Sequence, residues 1–187
     1  MSGTPIMERT SGTPCSSVVA SGRSLGLVGA CLPDVELEWT TAEHDPSISW
    51  IPRFLNLAVE AAKSTLIVYL YPGIGVRRGS GLPSAYAERA SCLVGASLIG
   101  VSSESHAAQR SCARQLGVHH LLLSDEWMRL ALALSLPTYS DSDGEHYLPL
   151  SMIVRDGRIE DVLRMDRAAR RHVAVVAGRL RGPSRAS

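Results

Sequence analysis

The segment Thr65-Leu66-Ile67-Val68-Tyr69-Leu70 is nearly continuous and apolar. That is the pattern of a strand covered on both faces rather than one that alternates between core and water. Ser97-Leu98-Ile99-Gly100-Val101-Ser102 repeats the pattern and reads as the next central strand. A sheet buried on both sides needs helices above and below it, so these segments point to an α/β chain of three layers.

The surrounding sequence supplies those layers. Val35-Glu36-Leu37-Glu38-Trp39 alternates and suits an early strand. A helix is expected to open at Ser49 or Pro52 and run through Phe54, Leu55, Leu57, Ala58 and Ala61. Ala85 to Leu93 and Glu104 to Leu116 read as helices, the second ended by Gly117 in a left-handed stop. His120 to Leu123 is a short strand and Asp125 to Leu134 a helix, with Trp127 packed inward. Leu150 to Arg155 turns at Asp156-Gly157 into Arg158 to Val162, a hairpin signal. Ala168 to Leu180 closes the domain with Val173, Val175 and Val176 inward.

One domain, residues 27–181, is expected from 187 residues of which 45% are hydrophobic. Residues 1–26 are rich in Ser, Gly and Thr and read as a disordered tail in which Cys15 is incidental. Residues 182–187 read as a frayed end. A net charge of +1 gives no field for nucleic acid or an anionic membrane. The four cysteines, Cys15, Cys31, Cys92 and Cys112, form no CxxC pair and no cluster with histidine, so neither a zinc site nor another cofactor is expected. With no apolar run near ~18 residues and no leader-like segment, the chain reads as soluble and cytoplasmic.

The order of these segments resembles the thioredoxin-like superfamily, and within it the peroxiredoxin-like redoxin branch with an AhpC/TSA-type domain. The matching stretches are Leu32 to Leu37, Ile67 to Gly73, Gly95 to Ser102, Gly117 to Asp125 and Leu150 to Val162. Together they cover roughly Cys31 to Asp166. The resemblance implies a thioredoxin-like three-layer sandwich, with a central mixed sheet flanked by helices, and a homodimer. It also implies a Pro-x-x-x-Thr-x-x-Cys pattern after the strand. Counting from Pro72 puts Val76 at the threonine and Gly79 at the peroxidatic cysteine, while counting back from Gly95 puts Leu82 there. Neither register holds a thiol. The arginine that favours the thiolate in such proteins precedes the Leu150 strand, and Pro149 stands in its place.

Peroxide reduction needs a thiolate, a positive charge to favour it, and a way to resolve the sulfenic acid. Ser80 cannot replace the sulfur, and Arg77 and Arg78 have no thiol beside them. Cys92, late in the helix after the loop, and Cys112, on the next helix, are each either a migrated reactive thiol or a small core residue. Cys31 lies at the mouth of the first strand.

The remaining signals converge on the stretch after Leu70. Tyr71 stands at the carboxyl end of a central strand, where open sheets place ligands. Pro72, Gly73, Gly75, Arg77, Arg78 and Ser80 form either an anion-binding loop or a solvated turn, without a phosphate-loop fingerprint. Pro149 either shapes a pocket as a cis residue or starts a strand as a trans one. His146 is close enough in sequence to face the same pocket as a proton acceptor, or belongs to a solvated turn with Asp141 to Glu145. Tyr86, Tyr139, Glu145, Tyr147 and His106 are the other polar candidates. Three readings follow. The first is a redoxin-fold enzyme repurposed for isomerisation, cyclisation or elimination of a small substrate, anionic or carrier-tethered, in specialised biosynthesis, with Tyr71, His146 and the Arg77-Arg78 loop positioning groups; Cys92 is the further catalytic candidate, as a thiol. The others are a residual thiol oxidoreductase using Cys92 or Cys112, and a non-catalytic binding or assembly protein.

Overall fold

The computed structural model describes residues 26–43, 54–74, 81–166 and 168–182. Strand β3 (Thr65–Leu70) lies inside the sheet, and Leu66, Ile67, Val68, Tyr69 and Leu70 are all fully buried. Its side chains alternate between two cores: Leu66, Val68 and Leu70 join one, Ile67 and Tyr69 the other. The covering on both faces expected from the sequence is therefore present.

Strand β3 pairs in parallel with β4 (Ala96–Ser102), which pairs in parallel with β5 (Leu121–Ser124). Antiparallel strands flank this trio. On one side lie β1 (Glu36–Thr40) and β2 (Phe54–Asn56); on the other lie the two strands of the terminal hairpin, Leu150–Arg155 and Arg158–Arg164. Helices α1 (Leu57–Lys63) and α4 (Arg129–Leu134) pack Leu57, Ala61, Leu130 and Ala131 on one face. Helices α2 (Leu82–Glu88), α3 (His106–Leu116) and α5 (Ala169–Leu180) pack Leu82, Tyr86, Cys112, Val173 and Val176 on the other. The result is a thioredoxin-like three-layer sandwich around a mixed seven-stranded sheet. A separate hairpin, β6 (Thr138–Asp141) and β7 (Gly144–Tyr147), precedes the terminal one, whose strands are therefore β8 and β9.

Local chemistry explains where elements start and stop. Ser105 caps α3 by accepting the Ala108 amide at 3.3 Å, and Gly117 ends it at φ +60°. Asp156 and Gly157 both take positive φ, 49° and 75°, as a two-residue hairpin turn requires.

Several boundaries differ from expectation. Phe54 and Leu55 are not helical: they pair with Glu38 and Leu37, and α1 begins only where Asn56 accepts the Val59 amide at 3.1 Å. Ser49, Trp50 and Pro52 lie outside the described residues. The expected Ala85–Leu93 helix is instead α2 from Leu82, followed by a 3-10 turn over Ala90–Cys92. Helix α4 starts at Arg129 rather than Asp125, because the Asp125 carboxylate folds back to accept the Arg129 and Leu130 amides at 2.8 and 2.9 Å. Val175 is 48% exposed. Val173, Val176 and Ala177 share the inner helical face at three- and four-residue spacing, which turns Val175 outward.

Candidate functional site

The three parallel strands end side by side, and the chain that follows each contributes to one cleft. Pro72 and Ile74 come after β3, Ser103 to Ser105 after β4, and Glu126 to Met128 after β5. Helix α4 and the β6–β7 hairpin complete a cavity of about 930 Å³. This carboxyl edge is where open sheets hold ligands, and the volume suits a small organic molecule.

Glu104 is the chemically distinctive group. Its Oε1 accepts the Ile74 amide at 2.8 Å, whereas its Oε2 is buried with no hydrogen-bond partner. Burial raises the Glu104 carboxyl above its ordinary value, while the Ile74 amide and His146 pull the other way. The approach of the Ile74 amide depends on Gly73, at φ +121°: a Cβ there would stand 2.8 Å from the Glu104 carboxyl carbon. The glycine therefore serves close packing against a carboxylate.

His146, on β7, grips the same turn from the hairpin side. Its Nδ1 lies 2.9 Å from the Pro72 carbonyl oxygen, and its Nε2 lies 3.0 Å from Asp141 Oδ1. Both partners are oxygen acceptors, so a proton on either ring nitrogen has a partner to donate to. Asp141 is held below its ordinary carboxyl value, chiefly by the Asp143 amide and also by His146. The ring thus links Asp141, on the same hairpin, to the loop after β3.

Of the residues singled out from sequence, the structure brings Pro72, His146 and Glu145 to the cleft lining, with Gly73 packed beneath Glu104. Gly75, Arg77, Arg78 and Ser80 lie outside the described residues. Tyr71 is fully buried, and no bond of ordinary geometry reaches its hydroxyl. Ser102 is close enough to offset part of the rise that burial imposes on the phenol, but the Ser102 hydroxyl already accepts Gln109 Nε2 at 2.8 Å. Burial pushes the Tyr71 phenol well up, so it is neutral. Tyr86 is likewise buried, its hydroxyl 2.7 Å from Ser151 Oγ, which lies 2.8 Å from His172 Nε2. Pro149 is half-buried and follows a trans peptide bond, and its carbonyl accepts the Met165 amide at 3.0 Å.

The thiols are dispersed. Cys92 is exposed on the 3-10 turn and does not line the cleft. Cys112 is buried on α3, and burial pushes its thiol up to about 12, with Glu104 adding to the shift. Cys31 is exposed beside Arg158. Among the described residues no group of three or more His, Cys, Asp or Glu is placed to hold a metal, and no helix is long and apolar enough to cross a membrane.

Sequence reasoning missed Glu104 and misjudged Trp127. Glu104 sits in the polar run Ser102-Ser103-Glu104-Ser105 at the end of an apolar strand, a signal equal to the one that drew attention to Tyr71. Trp127 is 78% exposed and lines the cleft rather than packing inward.

The sandwich, with a cleft at the carboxyl edge of its parallel strands, defines a protein of thioredoxin-like fold. No protein-family model and no curated protein matches the chain. Solved structures do. It is similar to the peroxidoxin BcpB from Mycobacterium tuberculosis, with a TM-score of 0.66 at 17% identity over 82% of this chain and 96% of that one. AhpC from Enterococcus faecalis gives 0.62 at 18% identity, over 82% and 92%. Thioredoxin peroxidase I from Plasmodium yoelii gives 0.66 at 15% identity, over 82% and 88%. At such identities the likeness is one of fold.

Proposed function

We propose that this redoxin-fold protein is an enzyme without thiol-peroxidase chemistry, and that it carries out a non-redox proton-transfer reaction on a small organic substrate held in the cleft. The observation that carries this reading is the Glu104 carboxylate, desolvated and with one oxygen unpartnered at the strand ends. A base whose pKa is raised toward neutrality is suited to take a proton from carbon. In an isomerisation, Glu104 removes a proton from a carbon beside a carbonyl. Where a β,γ double bond is present, the electron pair is delocalised over a dienolate, and Glu104 returns the proton at the γ carbon, which moves the double bond into conjugation with the carbonyl. His146 fixes the Pro72–Ile74 turn and so positions Glu104. Elimination or cyclisation would begin with the same abstraction. Homodimer formation and a place in specialised biosynthesis belong to this reading as expectations.

The thiol alternative finds less support. Cys112 is a buried thiol pushed up to about 12, the opposite of what a peroxidatic centre needs, and Cys92 stands outside the cleft.

The test is hydrogen exchange. A panel of small carbonyl compounds is incubated with protein in deuterated water, and loss of the α C–H signals is followed by NMR. Glu104→Gln keeps the acceptor for the Ile74 amide and removes the base. Exchange with at least one compound, lost about 100-fold in the variant, is expected. Equal exchange by both proteins, or none by either, counts against Glu104 as the base.

A further inference from the structure

The side chains that line the cleft also constrain what enters it. Among its described lining residues are four carboxylates, Glu104, Glu126, Asp143 and Glu145, and no lysine or arginine. Beside them stands Trp127, a large aromatic surface left 78% exposed at the rim.

That exposure is built in. Asp125, 1% exposed, accepts three donors: the Arg129 and Leu130 amides and, at 2.6 Å, the Tyr147 hydroxyl. Met128 follows Trp127 in the left-handed region at φ +52°, a strained conformation for a non-glycine residue. The Met128 side chain goes into the core while Trp127 is held out. Strain and a clamped carboxylate together fix a tryptophan where it buries little of itself. Such an outlier beside a cavity points to a ligand surface.

We propose that the cleft takes a small organic cation, an amine or ammonium compound with an apolar body. Its positive group sits over the Trp127 ring and among the carboxylates. The tryptophan face attracts cations through its quadrupole, and the surrounding carboxylates add a field of the same sense. The charge of such a substrate favours the ionised form of Glu104, whose Oε2 is buried and unpartnered. This rests on the reading of the cleft as the reaction site, and it makes the substrate cationic where the Arg77-Arg78 signal in the sequence suggested an anionic one.

Benzyltrimethylammonium is the probe, with 2-phenylethanol as the neutral comparison and phenylacetate as the charge-reversed one. Binding is measured by calorimetry and by the shift of the Trp127 indole NMR signal. The cation is expected to bind about ten-fold more tightly than the alcohol, to lose about five-fold in Trp127→Leu, and to weaken in Glu126→Gln/Glu145→Gln and at high salt. Trp127 and the two glutamates are surface groups, and circular dichroism of the variants verifies their folding.

Phenylacetate binding as tightly as the cation, and lost in Arg77→Ala/Arg78→Ala, would overturn the proposal in favour of an anion site. Failure of the cation to bind, or binding indifferent to Trp127→Leu, would also overturn it. Either failure leaves the proton-transfer reading standing if Glu104→Gln still abolishes exchange on an uncharged carbonyl compound. The two ideas therefore fail separately.

Discussion

The phenol of Tyr69 lies directly over Gly100 on the adjacent parallel strand, so that a Cβ at Gly100 would stand 2.5 Å from the Tyr69 hydroxyl oxygen. The missing side chain gives Tyr69 room to reach His120 Nε2 at 2.7 Å and to stack on Tyr86 at a centroid separation of 4.4 Å. A glycine inside a central strand, otherwise unfavourable, is explained by this approach. Gly100→Ala should cost about 1–3 kcal/mol, since both Tyr69 and Leu122 must shift in a packed core. Urea unfolding of the variant measures it, and a loss under ~0.5 kcal/mol would mean that the rings move freely.

Acid should weaken the fold through the same cluster. Burial, with His119 adding to it, lowers His120 to about 4, and burial also holds His172 below its ordinary value. An unfolded histidine takes up its proton near ~6.5. Between about pH 6.5 and about 4 the unfolded chain therefore binds protons that the folded one refuses. Stability contributed by these groups is whole above that range and falls as pH drops through it, on the order of 2 kcal/mol for His120. Glu104, shifted up, works in the opposite sense. Urea midpoints across that range, compared with those of His120→Gln, should show a shallower acid loss in the variant.

Tyr71 makes a prediction of the opposite kind. Its hydroxyl is buried without a partner, and Tyr71→Phe removes that unsatisfied group while keeping the ring. The variant should be as stable as the parent or more so, by about 1 kcal/mol, with exchange chemistry intact. Loss of activity in a stable Tyr71→Phe protein would show that the hydroxyl meets substrate.

The thiols separate by access. Cys31 and Cys92 are exposed and should alkylate in the native protein at about pH 8, whereas buried Cys112 should react only after unfolding. Intact mass after iodoacetamide reads the difference. Peroxide consumption no faster than that of free cysteine is expected alongside it.

Much of this architecture was legible in the residues. The continuous apolar pattern of β3 and β4 required helices on both faces, and Asp156-Gly157 announced its hairpin. The β6–β7 hairpin escaped notice because Thr138 to Tyr147 is mostly polar and gives little hydrophobic alternation; its pairing across the Asp141–Gly144 turn is what brings His146 to Asp141. Helix α4 began late because Asp125 spends its carboxylate on amides four and five residues ahead and on a tyrosine from β7. No local pattern predicts that long-range bond. Within the cleft, Pro72 and His146 were readable from their positions along the chain. Glu104 was hidden because its environment depends on Gly73, a neighbour only in space.

Three adjacent strand ends open into one cavity, and this has a consequence for how activities arise on such a sheet. A group mounted after β4 or β5 reaches the same space as one mounted after β3, so the positions are close to interchangeable as supports for a reactive atom. A chain can exchange one chemistry for another by loading a different support, with every core strand left as it was. The sulfur-bearing loop of a redoxin is then only one tenant of an edge that the sheet holds open for several.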